Sequence, residues 1–294
     1  MVADFVMARP NIAGAQSYHN AGGMILRGPG ANDDAFEAED LAVFDALGKK
    51  GELILPGYRY MNVAKDLYEV YGGELDWFYA GRGIYTFTNE LFTPFNLFRK
   101  EGGGWFGRDE DLHLFNKYLL FEEGFIDWHE VDHPQYGKVE VGGFKKSWMR
   151  QPPSFLLEEE CHRNMAFTLY QADQMPRVRV QSVETKDLGD GLTQVSAAIS
   201  NEKLTPTRAA VDVKHRISAP DRVSIEGGEV VVGLTAGNRF FNDAREQERD
   251  PANLKVERIG GMGAVYVRWI VRGAGPFTVS VRSVKGGIAS KRAP

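Results

Sequence analysis

The stretch GIYTFTNEL, residues 83–91, is an aromatic-rich run typical of a β-strand. Upstream, NIAGAQSYHNAGG at residues 11–23 has the pattern of a buried strand that continues into a loop. Between these two stretches, Asp33–Gly48 and Val63–Tyr71 show the apolar spacing of helices. Helices that alternate with strands predict an α/β unit in the first part of the chain.

The pattern changes past the middle of the chain. SFLLEEECHRNMAFTLYQADQ, residues 154–174, predicts a long amphipathic helix with Glu158–Glu160 on its solvated face. Further on, short runs that alternate apolar and polar residues, among them TRAAVDVKHRIS at residues 207–218, are separated by turn signals such as GDG and GGMG. Short strands at this spacing predict an immunoglobulin-like β-sandwich. The predicted fold class is therefore an α/β domain over residues 1–175, followed by a β-sandwich domain over residues 176–294.

Composition limits the class of protein. With 294 residues, 43% of them apolar and 26% charged, the chain has the composition of a globular protein with room for two domains. A net charge of −5 and a pI near 5.8 give no electrostatic footprint for nucleic acid or for an anionic membrane, so neither partner is expected. The single cysteine, Cys161, excludes an intramolecular disulfide and is expected to pack within a helix rather than to act as a nucleophile.

The motif HEVDH, residues 129–133, matches H-E-x-x-H, in which two histidines one helical turn apart bind zinc. Pro134 follows directly and disfavours the α conformation at His133, so a helix would have to end there. Only about two turns remain after Gly124, too few for a stable helix without strong packing. The favoured interpretation is an extended segment that enters a turn. A zinc protease built on His129 and His133 remains an alternative.

The segment DLYEVYGGELDWFYAGRGIYTFTNEL, residues 66–91, resembles the zinc metallocarboxypeptidases of the carboxypeptidase A type. In that family a tyrosine precedes a Gly-Gly pair, an Asp-Trp follows two residues later, and an aromatic-rich strand ends in FT-x-E-L. The matching residues here are Tyr68, Gly72, Gly73, Asp76, Trp77 and Glu90. Upstream, QSYHNAGG is similar to the strand end that supplies the third zinc ligand of the family. The resemblance covers residues 1–172, and residues 92–150 resemble an insertion.

The resemblance implies a zinc-dependent peptidase that releases C-terminal residues from peptides. His19 would bind the zinc ion, Glu90 would be the general base, and Tyr68 would donate a hydrogen bond to the substrate. Leu75 and Thr88 would contact the substrate, and the apolar Leu75 at the specificity position implies an apolar or aromatic C-terminal residue. Zinc with an open coordination position would polarise the peptide carbonyl and lower the pKa of water. The three residues His19, Tyr68 and Glu90 are expected to converge on one side of a mixed sheet.

The sequence departs from the family in one respect. The family's other two zinc ligands come from an upstream H-x-x-E motif, and no H-x-x-E occurs in these 294 residues. The family's arginines and asparagine that hold the substrate carboxylate are not found either, and eighteen residues precede His19. The chain is therefore expected to be the C-terminal half of a peptidase domain, inactive alone, from a parent protein that the family suggests is secreted or periplasmic. The alternative is a non-catalytic pseudo-peptidase or a module that binds peptides or cell surfaces.

Overall fold

The first part of the chain is a mixed α/β unit. The structure is a computed structural model that describes residues 1–31, 36–100 and 108–293. In chain order, the elements of the first part are α1 (Val2–Met7), β1 (Gly14–Asn20), β2 (Met24–Arg27), α2 (Ala38–Ile54), β3 (Arg59–Asn62), α3 (Val63–Asp66), α4 (Glu74–Arg82), β4 (Tyr85–Leu91), α5 (Phe95–Phe98), α6 (Asp109–Leu119), β5 (Phe125–His133), β6 (Gly137–Phe144), α7 (Lys146–Arg150) and α8 (Ser154–Asp173). Among the described residues, no helix has the length and apolar content needed to cross a membrane.

Four strands form one mixed sheet in the order β1-β4-β2-β3. Strand β4 runs parallel to β1 and antiparallel to β2, and β2 runs parallel to β3. Helices α2 and α8 pack on one face, where Phe44, Phe87 and Phe167 are fully buried in one apolar cluster. The aromatic side chains of the stretch that predicted β4 therefore belong to the main core of this domain.

Two helices differ in length from their predictions. Helix α2 ends at Ile54 rather than at Gly48, and residues 33–35 of the predicted helix lie outside the described residues. Helix α3 has four residues, whereas helical spacing predicted Val63–Tyr71. The N–H of Val70 donates to the carbonyl of Gly30 instead of to a carbonyl one turn earlier in a helix. That tertiary hydrogen bond replaces the helical one, so α3 ends early.

The segment at residues 92–150 has a small core of its own. Phe92, Leu112, Phe115 and Trp148 are buried together, and the rings of Phe115 and Trp148 stack at 5.2 Å. The segment also carries the β5–β6 hairpin, which pairs with no other sheet among the described residues.

The structure corrects two predictions about side chains on α8, those for Glu160 and Cys161. Glu160 was expected on a solvated face, but its side chain is 4% exposed and accepts hydrogen bonds from the backbone N–H of Phe92 at 2.9 Å and from Asn96 Nδ2 at 2.7 Å. Tyr58 donates to the same carboxylate through its hydroxyl. Cys161, expected to pack within the helix, is exposed. The Glu158–Glu160 run therefore spans both a solvated and a buried face, because adjacent helical residues point about 100° apart.

The second part is a β-sandwich, as predicted. Its elements are β7 (Val178–Gly189), β8 (Leu192–Asn201), α9 (Ala210–His215), β9 (Asp221–Glu226), β10 (Glu229–Ala236), β11 (Arg245–Glu246), β12 (Asn253–Val256), β13 (Ala264–Arg272), β14 (Thr278–Ser283) and β15 (Gly287–Arg292). The two sheets have the orders β11-β10-β13-β8-β7 and β12-β9-β14-β15. Alternate residues of both sheets enclose an apolar core that contains the fully buried Trp269.

Helix α9 replaces the strand that TRAAVDVKHRIS predicted. The backbone N–H groups of Ala210 and Val211, in the first turn of α9, donate to the carboxylate of Asp40 on α2 at 2.8 and 3.1 Å. Asp212 on α9 forms a buried ion pair with Arg208 at 3.1 Å. The alternating run therefore forms a helix, because the carboxylate of Asp40 from the other domain accepts hydrogen bonds from its free N-terminal N–H groups.

A buried lysine also joins the two domains. Lys285, in the turn between β14 and β15, donates through Nζ to the carbonyl oxygens of Arg82 at 2.9 Å and Gly83 at 2.7 Å, at the end of α4. Its Nζ lies 3.6 Å from a carboxylate oxygen of Asp212. Burial lowers the pKa of Lys285 to about 8, although Asp212 opposes this change.

This pKa predicts a pH-dependent stability. Between pH 8 and the ordinary lysine value of 10.5, the unfolded chain holds a proton that folded Lys285 has released, so the free energy of unfolding rises with pH. From pH 7 to pH 9.5 we expect a gain of roughly 2 kcal/mol from this group. Urea unfolding at both pH values, compared with Lys285→Met, isolates the contribution, because the other titrating groups are common to both proteins. An identical pH dependence in the variant would contradict this assignment.

Candidate active site

A histidine and a glutamate meet at the end of the mixed sheet. His19 on β1 is the register partner of Glu90 on β4, and the Nδ1 atom of His19 lies 3.8 Å from Oε1 of Glu90. Two residues earlier on both strands, the hydroxyls of Ser17 and Thr88 are hydrogen-bonded at 2.7 Å. Because side chains alternate along a strand, these four residues share one face of the sheet. Parallel pairing of β1 and β4 thus brings together two residues that are 71 positions apart.

The two members of this pair have different environments. The side chain of His19 is 58% exposed, whereas that of Glu90 is 16% exposed. Burial raises the pKa of the Glu90 carboxyl above its ordinary value, and the charges of His19 and Arg150 partly oppose this. A carboxylate whose pKa is raised toward neutrality is a better proton acceptor, which is the direction that general base catalysis requires.

The other predicted substrate residues occupy different positions. Leu75 is buried against Met24, Leu26 and Val63 in a small apolar cluster. Thr88 is buried, and its hydroxyl is engaged with Ser17. The predicted contacts of Leu75 and Thr88 with a substrate stay predictions.

Tyr68 does not join the pair in this structure. It follows α3, after β3 at the edge of the sheet opposite β1, and its side chain is 60% exposed. The hydrogen bonds of the described residues do not connect Tyr68 to His19 or to Glu90. The structure thus brings two of the three predicted catalytic and metal residues together.

The donor set does not fit a zinc ion on its own. A catalytic zinc site takes three protein ligands and leaves one position open. Within residues 1–31, 36–100 and 108–293, no three His, Cys, Asp or Glu side chains lie close enough together to hold a metal ion. At the sheet end the described residues offer the imidazole of His19 beside the carboxylate of Glu90. A catalytic zinc ion at this position would therefore need further donors from outside the described residues.

The HEVDH motif is extended, as its local sequence predicted. His129 and His133 lie on β5, opposite Val141 and Gly137 of β6. The two histidines therefore do not share a helix face, which the H-E-x-x-H zinc geometry requires. His133 instead accepts a hydrogen bond at Nδ1 from the backbone N–H of Gln135 at 3.2 Å.

Sequence reasoning missed Arg150 and Glu160. Arg150 is the last residue of α7, and its charge lowers the pKa of Glu90. The buried carboxylate of Glu160 accepts a hydrogen bond from the backbone N–H of Phe92, two residues beyond Glu90. Asn164, one turn after Glu160 on α8, donates to the carbonyl of Glu160 and accepts from Asn89 at 2.7 Å. The partners of Glu160 and Asn164 come from distant segments of the chain, so no local pattern signals this buried polar face.

One comparison with known proteins is located on the sandwich domain. The model of a domain of unknown function, DUF8731, matches residues 177–294. No curated protein matches the sequence significantly. Among solved structures, the ASH/PapD-like domain 7 of human CEP192 is similar at 12% identity over 41% of this chain and 81% of that domain, with a TM-score of 0.18. A TM-score this low establishes no shared fold.

Proposed function

We propose that this chain carries part of the active site of a zinc-dependent hydrolase of the carboxypeptidase type, which releases C-terminal residues from peptides. The observation that carries the proposal is the pairing of His19 with Glu90 at the end of two parallel strands, at 3.8 Å. The resemblance of residues 66–91 to metallocarboxypeptidases assigns Glu90 its role, and the similarity of QSYHNAGG to the family's ligand strand assigns that of His19. Sequence motif and tertiary proximity thus support the proposal separately.

Glu90 has the properties of a general base in this proposal. Its carboxylate is largely withdrawn from solvent, and burial raises its pKa, so it can take a proton from an attacking water and return it to the leaving amine. His19 extends from the neighbouring strand with most of its ring accessible, as a ligand to an incoming metal ion must be. A zinc ion held by His19 together with donors from outside the described residues would polarise the peptide carbonyl.

The incomplete donor set favours a second candidate, a non-catalytic protein that binds peptides at this sheet end. Under both proposals the described residues alone bind zinc weakly, because each ligand bond must offset the dehydration of the metal. The two proposals differ in whether Glu90 contributes to hydrolysis once further zinc donors are present.

A zinc titration followed by the NMR signals of the six histidine rings tests the location of the site. We expect the ring signals of His19 to shift first, at high zinc concentration, and the response to vanish in His19→Ala. His133→Ala, at the alternative motif, is the matched control and should leave the response unchanged. No hydrolysis of a peptide with a C-terminal Phe is expected from the chain alone. If the signals of His129 and His133 respond first and His19→Ala has no effect, the proposed site is wrong.

A further inference from the structure

The four-stranded sheet of the sandwich carries a row of positive charges on its solvent face. The strand order is β12-β9-β14-β15, and the register places Lys255 opposite Arg222 and Arg222 opposite Arg282. The adjacent residues Val223 and Val281 are fully buried in the core, so the three cations point away from it, and all three are exposed. These side chains form a cationic row across three neighbouring strands.

This cationic row has no counter-ion among the described residues. None of its three members takes part in the ion pairs of the sandwich within 4.0 Å. On the solvent face of the same strands the acidic residue is Glu226, four residues after Arg222, and Arg292 lies in the same register row as Glu226. Like charges directly opposite each other destabilise a sheet. A charge row that is not neutralised within the chain therefore indicates an anionic partner.

A row of small polar side chains lies beside the cationic row. Two residues along each strand, the same register aligns four side chains across the whole sheet: Asn253, Ser224, Ser280 and Ser290. All four are partly or fully exposed on the solvent face. The amide of Asn253 donates to Asp250 at 3.0 Å, which leaves the serine hydroxyls to meet a ligand. The two rows together form a strip of charged groups and hydroxyls on one sheet face.

The net charge of the sandwich differs in sign from that of the whole chain. Residues 177–294 contain 19 Lys and Arg and 13 Asp and Glu, whereas the 294 residues contain 35 and 40. The sandwich is therefore positive, and the α/β domain is strongly negative. Charge asymmetry of this kind suggests that the positive domain contacts an anionic partner. The overall net charge of −5 opposes unspecific adsorption of polyanions, so binding would depend on the local strip.

We propose that this strip binds a linear anionic polysaccharide, a function separate from the proposed hydrolase. Such a polymer carries sulfate or carboxylate groups in a line and hydroxyls on every sugar unit, so its charges pair with the cationic row and its hydroxyls with the serines. Single-stranded nucleic acid fits less well, because the outward positions of these four described strands hold no aromatic side chain for base stacking. An anionic membrane also fits less well, since Ile288 is the one large apolar side chain at those positions.

Binding of a fluorescent heparin decasaccharide to the whole chain, followed by anisotropy at about 0.15 M salt, tests the assignment. We expect saturable binding, and none to a neutral maltooligosaccharide of similar length. The double variant Arg222→Ser with Arg282→Ser should bind heparin at least about tenfold more weakly. The slope of log Kd against log salt concentration should fall by roughly one to two, because two charge contacts are lost.

A matched double variant, Lys186→Ser with Arg272→Ser, removes the same charge from the exposed face of the other sheet. Packed sheets lie about 10 Å apart, which exceeds the Debye length of about 8 Å at this salt, so heparin binding should change by less than about twofold. Removing the repulsion between Arg222 and Arg282 should not lower the urea midpoint of that variant, so its loss of binding does not reflect unfolding. Arg222→Lys with Arg282→Lys keeps both charges and should retain most of the binding.

The measurement needs neither zinc nor hydrolysis, so Glu90→Gln in the presence of EDTA should bind heparin like the unmodified protein. Absence of heparin binding, or equal losses in the two double serine variants, would overturn the proposal. Tighter binding of a short DNA duplex or of phosphatidylserine vesicles than of heparin at the same salt would also overturn it, because the strip would then recognise a different class of anion.

Discussion

Asp40→Ala is expected to lower the free energy of unfolding by at least about 4 kcal/mol. The carboxylate of Asp40 is fully buried and accepts hydrogen bonds from the hydroxyls of Tyr79 at 2.8 Å and Tyr85 at 2.6 Å. It also accepts from the backbone N–H groups of Ala210 and Val211. The substitution leaves four donors without their acceptor, three of them buried and the N–H of Ala210 half-buried, and each unsatisfied buried donor costs about 1–3 kcal/mol unless water enters.

Because two of these donors belong to the sandwich domain, the substitution should also uncouple the domains. We expect the unmodified protein to unfold in one urea transition and the variant in two, seen as different midpoints by far-UV circular dichroism and tryptophan fluorescence. Glu39→Ala is the matched control, since Glu39 also lies on α2 and pairs across the domains with Arg258. That pair is solvated, so its loss should cost less than about 1 kcal/mol. Similar losses for both variants would refute a special role of Asp40.

Trp269→Ala is expected to cost about 3–5 kcal/mol and to unfold the sandwich preferentially. Trp269 is fully buried in the core between the two sheets, and its Nε1 donates to the carbonyl of Pro251 at 2.9 Å. Removing the ring creates a large cavity and leaves that carbonyl without its donor. Trp128→Ala, which removes an exposed tryptophan from the β5–β6 hairpin, should cost less than about 1 kcal/mol. Urea unfolding followed by circular dichroism compares the two, and equal losses would contradict the assigned core.

The strands and the sandwich could be predicted because their patterns are local. The aromatic-rich run at residues 83–91 became β4, and the alternating runs after residue 176 became two packed sheets, since period-two patterning directly encodes a half-buried strand. The pairing of His19 with Glu90 was accessible only through the family motif. Nothing in either stretch alone states that β1 and β4 are parallel neighbours.

The sequence-based predictions that were wrong share one cause, which is contact with residues distant in the sequence. Residues 207–218 alternate like a strand, but Asp40 from the other domain satisfies the first N–H groups of α9 and stabilises a helix there. Glu160 lies in a run of three glutamates that favours solvent, yet Tyr58, Phe92 and Asn96 converge on its carboxylate. Partners this distant in sequence leave no local pattern. Arg150 was missed for the same reason, since its proximity to Glu90 arises only when α7 packs near the end of β4.

The most direct test of the proposed site supplies the missing zinc donors artificially. A zinc complex of 2,2′-bipyridine leaves positions free for the exposed ring of His19, and the substrate is an ester analogue of a peptide with a C-terminal Phe. We expect hydrolysis at least about tenfold faster than with the complex alone, because Glu90 removes the proton of the attacking water. The rate should fall to that of the complex alone in His19→Ala and in Glu90→Gln, and stay unchanged in His133→Ala. Rates that are the same with and without the protein, or that survive Glu90→Gln, would contradict the assignment of His19 and Glu90 to a hydrolytic site.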